Sequence, residues 1–262
     1  MALPRHPDFA EIQERMRRIH PDFYPARIAI DDQYGPSMAR GVDMILDALE
    51  DANDLPPWDT LKRANRVGQM PSKFNFLLQD PKAPLMVRLA LEFYGLKEKP
   101  GAGNNSEIIQ WADEIAESVD TPYANWAADW YNKDSIPWCG LWMAVVAVRA
   151  SQGRAERMPP VKYLSALEWQ HYGEAVAKED AAVGDVMVLG RNGGGHVCIN
   201  VGMEEGNRRF FGLGANQSDA VNILPFGMNR VRYVRRPPYN NRPAGARQVV
   251  VGRGGASSVN EQ

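Results

Sequence analysis

Apolar residues recur at helical spacing over residues 9–19, where Phe9, Ile12, Met16 and Ile19 fall on one face. The pattern repeats over 36–49, behind a Pro36 suited to a first helical turn. Two amphipathic helices are predicted, separated by the turn-like Asp31-Asp32-Gln33-Tyr34-Gly35. Proline-containing breaks at 55–59 (LPPWD) and 79–84 (QDPKAP) put a domain boundary somewhere in 52–84. Residues 85–95 predict a helix stopped by Gly95, followed by a Gly/Asn-rich loop through Asn105 and a helix at 106–117. A largely apolar helix is expected from Leu141 to Val148. From Val186 the period changes to short strand-like runs at 186–190, 196–202, 209–214, 220–224 and 231–236, separated by Gly, Asn and Asp. They predict an antiparallel sheet of about five strands. Helices first and strands after indicate an α+β domain in which the apolar helix packs on the sheet. Beyond Arg236, Pro237-Pro238, NNRPAG and GRGGASS read as a loose tail.

With 44% hydrophobic and 24% charged residues among 262, the composition fits a soluble globular protein and excludes wholesale disorder. The formal net charge of -2 argues against a chain that coats nucleic acid. From Val221 onward, however, the charged residues are seven arginines and Glu261, which leaves an acidic body and a basic end. Such an end could meet an anionic polymer by Coulomb attraction, or be a solvated tail of no consequence. No apolar run reaches the roughly 18–20 residues that span a bilayer, so no membrane insertion is expected. The first thirty residues carry Pro4, His6, Asp8, Glu11, Arg15, Arg17 and Arg18 where a signal peptide needs an apolar stretch. The expectation is synthesis in the cytoplasm without a signal peptide. Two cysteines make no disulfide framework, and neither belongs to a ligand set of zinc spacing, so no metal or other cofactor is expected.

The reactive thiol is the remaining question. Cys139 stands in DSIPWCGLWMAVVAV directly before the apolar helix, with Pro137 discouraging an earlier start. At a helix N-terminus, unpaired N–H groups and the helix dipole favour thiolate and can hold an oxyanion beside the same sulfur. A cysteine flanked by tryptophans is equally an ordinary buried apolar residue. His196 follows three glycines and opens a strand, next to backbone that can be approached closely. A cysteine at a helix start followed along the chain by a histidine opening a sheet is the papain-like order of elements. Asn216, at the end of the run RFFGLG, would be carried back beside His196 by a returning strand and could orient its ring. Gln217 would point to the opposite face unless a turn there exchanged their roles.

PWCGLW, GDVMVL at 184–189, GHVCINVG at 195–202 and LGANQSDAVNI at 213–223 resemble the blocks of phage-type CHAP (cysteine, histidine-dependent amidohydrolase/peptidase) proteins, in the same order. The resemblance spans roughly 85–237 and implies a papain-like (CHAP/NlpC-type) domain that cleaves amide bonds of bacterial cell-wall peptidoglycan, with Cys139 as nucleophile, His196 as base and Asn216 as orienting residue. Many family members are phage endolysins. Cys198 departs from the pattern, standing where the family has a small or apolar residue, and reads as a core thiol. IDDQYGPSMARGVDMIL resembles the turn and following helix of the small three-helix peptidoglycan-binding module, with Asp32 in place of the usual glycine. A helical hairpin that merely packs on the next domain remains the other reading of that segment. The expected layout is a helical module at 1–52, a linker region at 53–84, the hydrolase domain at 85–238 and a basic flexible tail at 239–262. Trp138 and Trp142, with Trp130, are candidates to line a substrate groove.

The expected partner is peptidoglycan, met by a monomer acting in the periplasm or wall after release, whether by phage lysis or as an injected toxin. A sugar-cleaving lysozyme would need a carboxylate pair, for which Glu98 is the one tempting acid. A non-catalytic wall-binding or virion structural protein is the rival from a different class.

Overall fold

The computed structural model describes residues 7–19, 21, 25, 28–31, 33–36, 38–39, 41, 66–191 and 193–252. The chain divides into two compact units, Met1–Pro81 with Glu92–Gly95, and Lys82–Leu91 with Leu96–Gln262.

In the first unit, helix α1 (Pro7–Ile19) buries Phe9, Ile12 and Met16, the stripe predicted from spacing. Between them Gln13 turns its amide inward. Its Oε1 accepts the N–H of Asp31 at 2.7 Å, and its Nε2 donates to Gln33 O at 2.9 Å, so one buried amide fixes the following turn to the helix. Phe9 and Tyr34 pack with ring centroids 5.4 Å apart. In the second predicted helix, Met38 is buried and Ala39 N–H bonds Gly35 O at 3.0 Å. Asp32 and residues 42–65 lie outside the described residues. The linker expected over 53–84 is corrected where it is described. Residues 66–79 include a 3₁₀ turn (Ser72–Phe74) and the short helix α2 (Phe76–Gln79), with Val67, Met70, Phe74 and Leu77 buried. That apolar content lacks helical periodicity, so proline punctuation outweighed it in the sequence.

The second unit is α+β. Its helices are α3 (Leu85–Leu91), α4 (Ser106–Val119), α5 (Pro122–Trp130) and α6 (Cys139–Ser151). Helix α3 is shorter than the predicted 85–95. Asn105 caps α4 by accepting Glu107 N–H at 3.0 Å, and Thr121 caps α5 by accepting Ala124 N–H at 3.2 Å. Helix α6 is apolar on nearly every side because it runs through the core, against α4 on one side and the sheet on the other.

The sheet has six antiparallel strands in the order β1-β6-β2-β3-β4-β5. They are β1 (Glu174–Val176), β2 (Val186–Arg191), β3 (Gly194–Met203), β4 (Arg209–Gly214), β5 (Asn222–Gly227) and β6 (Val231–Arg236). Four follow the strand-like runs closely, and β5 overlaps the run at 220–224 but is shifted toward the C-terminus. β1, three residues long and mostly exposed, has no alternation to reveal it; only its pairing with β6 makes it a strand.

The loose tail expected at 239–262 is corrected for its described part. Val183 N–H bonds Arg247 O at 3.0 Å, Met203 N–H bonds Val249 O at 2.7 Å, and Val251 N–H returns to Met203 O at 2.8 Å. Ala246 and Val251 are buried. The basic end is also partly internal. Arg235 donates to the carbonyls of Tyr172 and Gly173, each at 2.6 Å, and Arg236 pairs with the buried Asp185 at 2.8 Å. No helix among the described residues is long and apolar enough to cross a membrane.

Candidate active site

Cys139 is the first residue of α6, and Trp138 is its N-cap. The first intrahelical bond, Trp142 N–H to Trp138 O at 2.9 Å, leaves the N–H groups of the opening turn without helical partners. Gly140 is required next to the thiol, because a Cβ there would collide with the backbone carbonyls of Tyr163 and Leu164, which cross the start of the helix. The thiol is buried at 4% exposure. Burial pushes it up from the ordinary thiol value. The N–H of Val197, the charge of Arg191 and the N–H groups of Gly140 and Cys139 itself pull the other way. Those opposing contacts locate the sulfur: it lies at the backbone of β3 one residue past His196, with Arg191 at the end of the neighbouring strand. Cys139 thus lies by the N–H of the residue that follows His196 in β3.

His196 is fully buried on β3, its ring 5.6 Å from that of Phe226. Its Nε2 meets Gln217 Oε1 at 2.9 Å. The Gln217 amide can take only one orientation. Its Nε2 donates to Asn222 Oδ1 at 2.8 Å, Asn222 O at 2.9 Å and Gly212 O at 3.3 Å, and Asn222 Nδ2 donates back to Gln217 O at 2.7 Å. With Nε2 of Gln217 surrounded by acceptors, its Oε1 must accept from the imidazole. His196 therefore carries its proton on Nε2, and Nδ1 is the basic nitrogen.

The side chain that meets the His196 ring is thus Gln217 and not Asn216, which the sequence had put forward. The cause is backbone conformation: Asn216, Ser218 and Asp219 all have φ between 55° and 58°, so the chain leaves the pleat after Gly214 and the residue that would have pointed away is turned toward the ring. Gln217 N–H closes this turn on Ala220 O at 3.0 Å. Gly214 makes room for the amide, since a Cβ there would stand 2.6 Å from Gln217 Oε1.

Trp138 and Trp142 line no groove. Both are at 0% exposure. Trp138 packs on Trp111 with ring centroids 5.9 Å apart and donates its indole N–H to Glu98 Oε1 at 2.6 Å. The exposed aromatic pair is on α5, where Trp126 and Trp130 stack at 5.4 Å. Cys198 is fully buried among Met187, Leu189, Phe210 and Phe226, a core thiol.

No family model and no curated protein matches the chain.

Sequence reasoning passed over Tyr131 and Arg191, and gave Glu98 a place only in a rival chemistry. Burial, then the charges of Glu98, Cys139 and Asp134, holds the Tyr131 phenol protonated well above its usual range, and its O–H donates to Ile136 O at 2.7 Å. Burial likewise raises the Glu98 carboxyl, opposed by the Trp138 hydrogen bond and reinforced by Asp219 and Asp134. The position of Glu98 was visible as an acid after an apolar helix, but its contact with the residue preceding Cys139 depends on the fold. Among the described residues no cluster of three or more His, Cys, Asp or Glu could hold a metal ion.

Proposed function

We propose that the protein is a cysteine hydrolase of papain-like type that cleaves an amide bond of bacterial peptidoglycan, as endopeptidase or N-acetylmuramoyl-L-alanine amidase. The observation that carries this reading is a thiol at a helix N-terminus beside the N–H of Val197, the residue after a buried histidine whose tautomer is fixed by Gln217. The geometry supports the chemistry, and the resemblance of the four sequence blocks to CHAP proteins supports the substrate. In the proposed reaction, Nδ1 of His196 takes the Cys139 proton and the sulfur attacks the amide carbonyl. N–H groups of the first turn of α6 receive the developing oxyanion. The imidazolium then gives its proton to the departing amine as the C–N bond breaks. Water, deprotonated by the same nitrogen, hydrolyses the thioester and restores the thiol.

Gln217 keeps the ring from rotating and stabilises the transient imidazolium through its carbonyl dipole. The remaining expectations belong to the same proposal: a wall-binding role for the N-terminal unit, a monomer, and action on the wall after release during phage lysis. Incubating purified sacculi with wild-type protein and with Cys139→Ala tests the reading. Turbidity should fall only with wild type; equal lysis by the variant would refute the nucleophile, and stable sacculus binding without turbidity loss by wild type would favour the non-catalytic role.

A further inference from the structure

The turn that carries Gln217 also helps to form a cleft of about 690 Å³ that the proposed chemistry does not use. Three chain segments form it: the loop after Leu96, the residues leading into Cys139, and the turn that carries Gln217. They are braced to one another. Asp134 Oδ2, on a side chain at 2% exposure, accepts the N–H of Lys99 at 2.8 Å and of Asn105 at 2.7 Å. Glu98 N–H bonds Asp219 O at 2.9 Å, and Val221 N–H bonds Leu96 O at 2.8 Å. The cleft is thus preformed, and one side of it is made by Ser218 and Asp219, which directly follow Gln217 in the chain.

Its charges are separated by depth. Glu98 and Asp219 are half-buried, and Asp219 Oδ1 is a buried acceptor with no donor among the described residues. Asp219 adds to the upward push that burial exerts on the Glu98 carboxyl. A cation between them would relieve both. Lys97, Lys99 and Lys133 are exposed at the rim, and no ion pair joins any of them to a described carboxylate. Because the rim cations do not collapse onto the floor anions, the cleft presents an acceptor pair inside and positive charge outside.

We infer that this cleft binds a peptide residue whose side chain ends in both an ammonium and a carboxylate, as in 2,6-diaminopimelate. The ammonium is taken by Glu98 and Asp219, and the carboxylate by Lys99 and Lys133. The inference rests on the hydrolase reading for its peptide substrate, while its charge logic stands on the cleft alone. A neutral or purely acidic side chain would leave the inner carboxylates unrelieved, and a simple lysine would leave the rim unused.

Binding of three synthetic stem peptides to the Cys139→Ser protein, followed by calorimetry, tests it. The peptides carry 2,6-diaminopimelate, lysine (no side-chain carboxylate) or 2-aminopimelate (no side-chain ammonium) at the same position. The diaminopimelate peptide should bind about tenfold more tightly than either of the others, the scale of one charge-assisted contact. Lys99→Gln with Lys133→Gln should erase its advantage over the lysine peptide only. Asp219→Asn, an amide that tolerates the left-handed backbone there, should erase its advantage over the aminopimelate peptide only. Equal binding of the three peptides, no binding of any, or preferences that survive these substitutions would overturn the assignment. Turnover of the peptides by wild type is read separately. Cleavage without charge preference retains the hydrolase and rejects the cleft, and charge-selective binding without cleavage does the reverse.

Discussion

At the residue scale, the proposed nucleophile and base stand out in the sequence because each has a local signature: a cysteine between Pro137 and an apolar helix, and a histidine after three glycines. The orienting residue does not. Choosing between Asn216 and Gln217 depends on three left-handed residues around them, and only Asn216, Ser218 and Asp219 as residue types hinted at a turn there. Gln217→Ala should lower the turnover rate by roughly ten- to a thousand-fold, the range for a group that supports a general base. Asn216→Ala should keep near-wild-type turnover while costing about 1–2 kcal/mol of stability for a Cβ residue at positive φ. The reverse ranking in steady-state kinetics would return the role to Asn216. The buried thiol carries its own expectation. Burial pushes it above the ordinary thiol value, and in the proposed mechanism His196 is what ionises it. In His196→Ala, the rate of Cys139 alkylation by iodoacetamide should still be climbing at alkaline pH. A rate already level at neutral pH would mean that the helix terminus alone makes the thiolate.

At the element scale, five strands and the central helix announced themselves by period, because each buries one face or runs through the core. What escaped were elements defined by partners rather than by pattern: β1, held by β6, and α5, whose face carries exposed tryptophans instead of an apolar stripe. The tryptophans of PWCGLW misled for a related reason. Sequence cannot tell a tryptophan that lines a groove from one that packs beneath it, and the indole of Trp138 is spent on Glu98. The join between β6 and the loop before β2 depends on one ion pair. Asp185 is nearly sealed at 2% side-chain exposure and receives both Arg236 nitrogens, at 2.8 and 2.9 Å, and Ala182 N–H at 2.8 Å. Arg236→Met should therefore destabilise the protein by about 3–5 kcal/mol in urea denaturation, the cost of stranding a buried charge. A loss within about 0.5 kcal/mol would show that water reaches Asp185 and that the pair is merely a surface contact.

At the scale of the whole molecule, the α+β class followed from element order, but the limits of the folded part did not. Pro237-Pro238 and a glycine-rich end look like a tail by composition, yet residues through Val251 bond the loop at Val183 and the end of β3. Such pairings join residues far apart in the chain, and no local pattern encodes them. Truncation after Pro238 should lower the melting temperature by roughly 5–10 °C, as expected for losing about 2–3 kcal/mol from a unit of this size. An unchanged melting temperature would return residues 239–252 to the role of a dispensable basic tail. The central claim, amide hydrolysis by Cys139 and His196, is tested most directly by mass spectrometry of the products released from purified sacculi. The account predicts new amine and carboxyl termini, intact glycan ends, and no products from Cys139→Ala. New reducing sugar ends, or the same peptide termini from the variant, would contradict it.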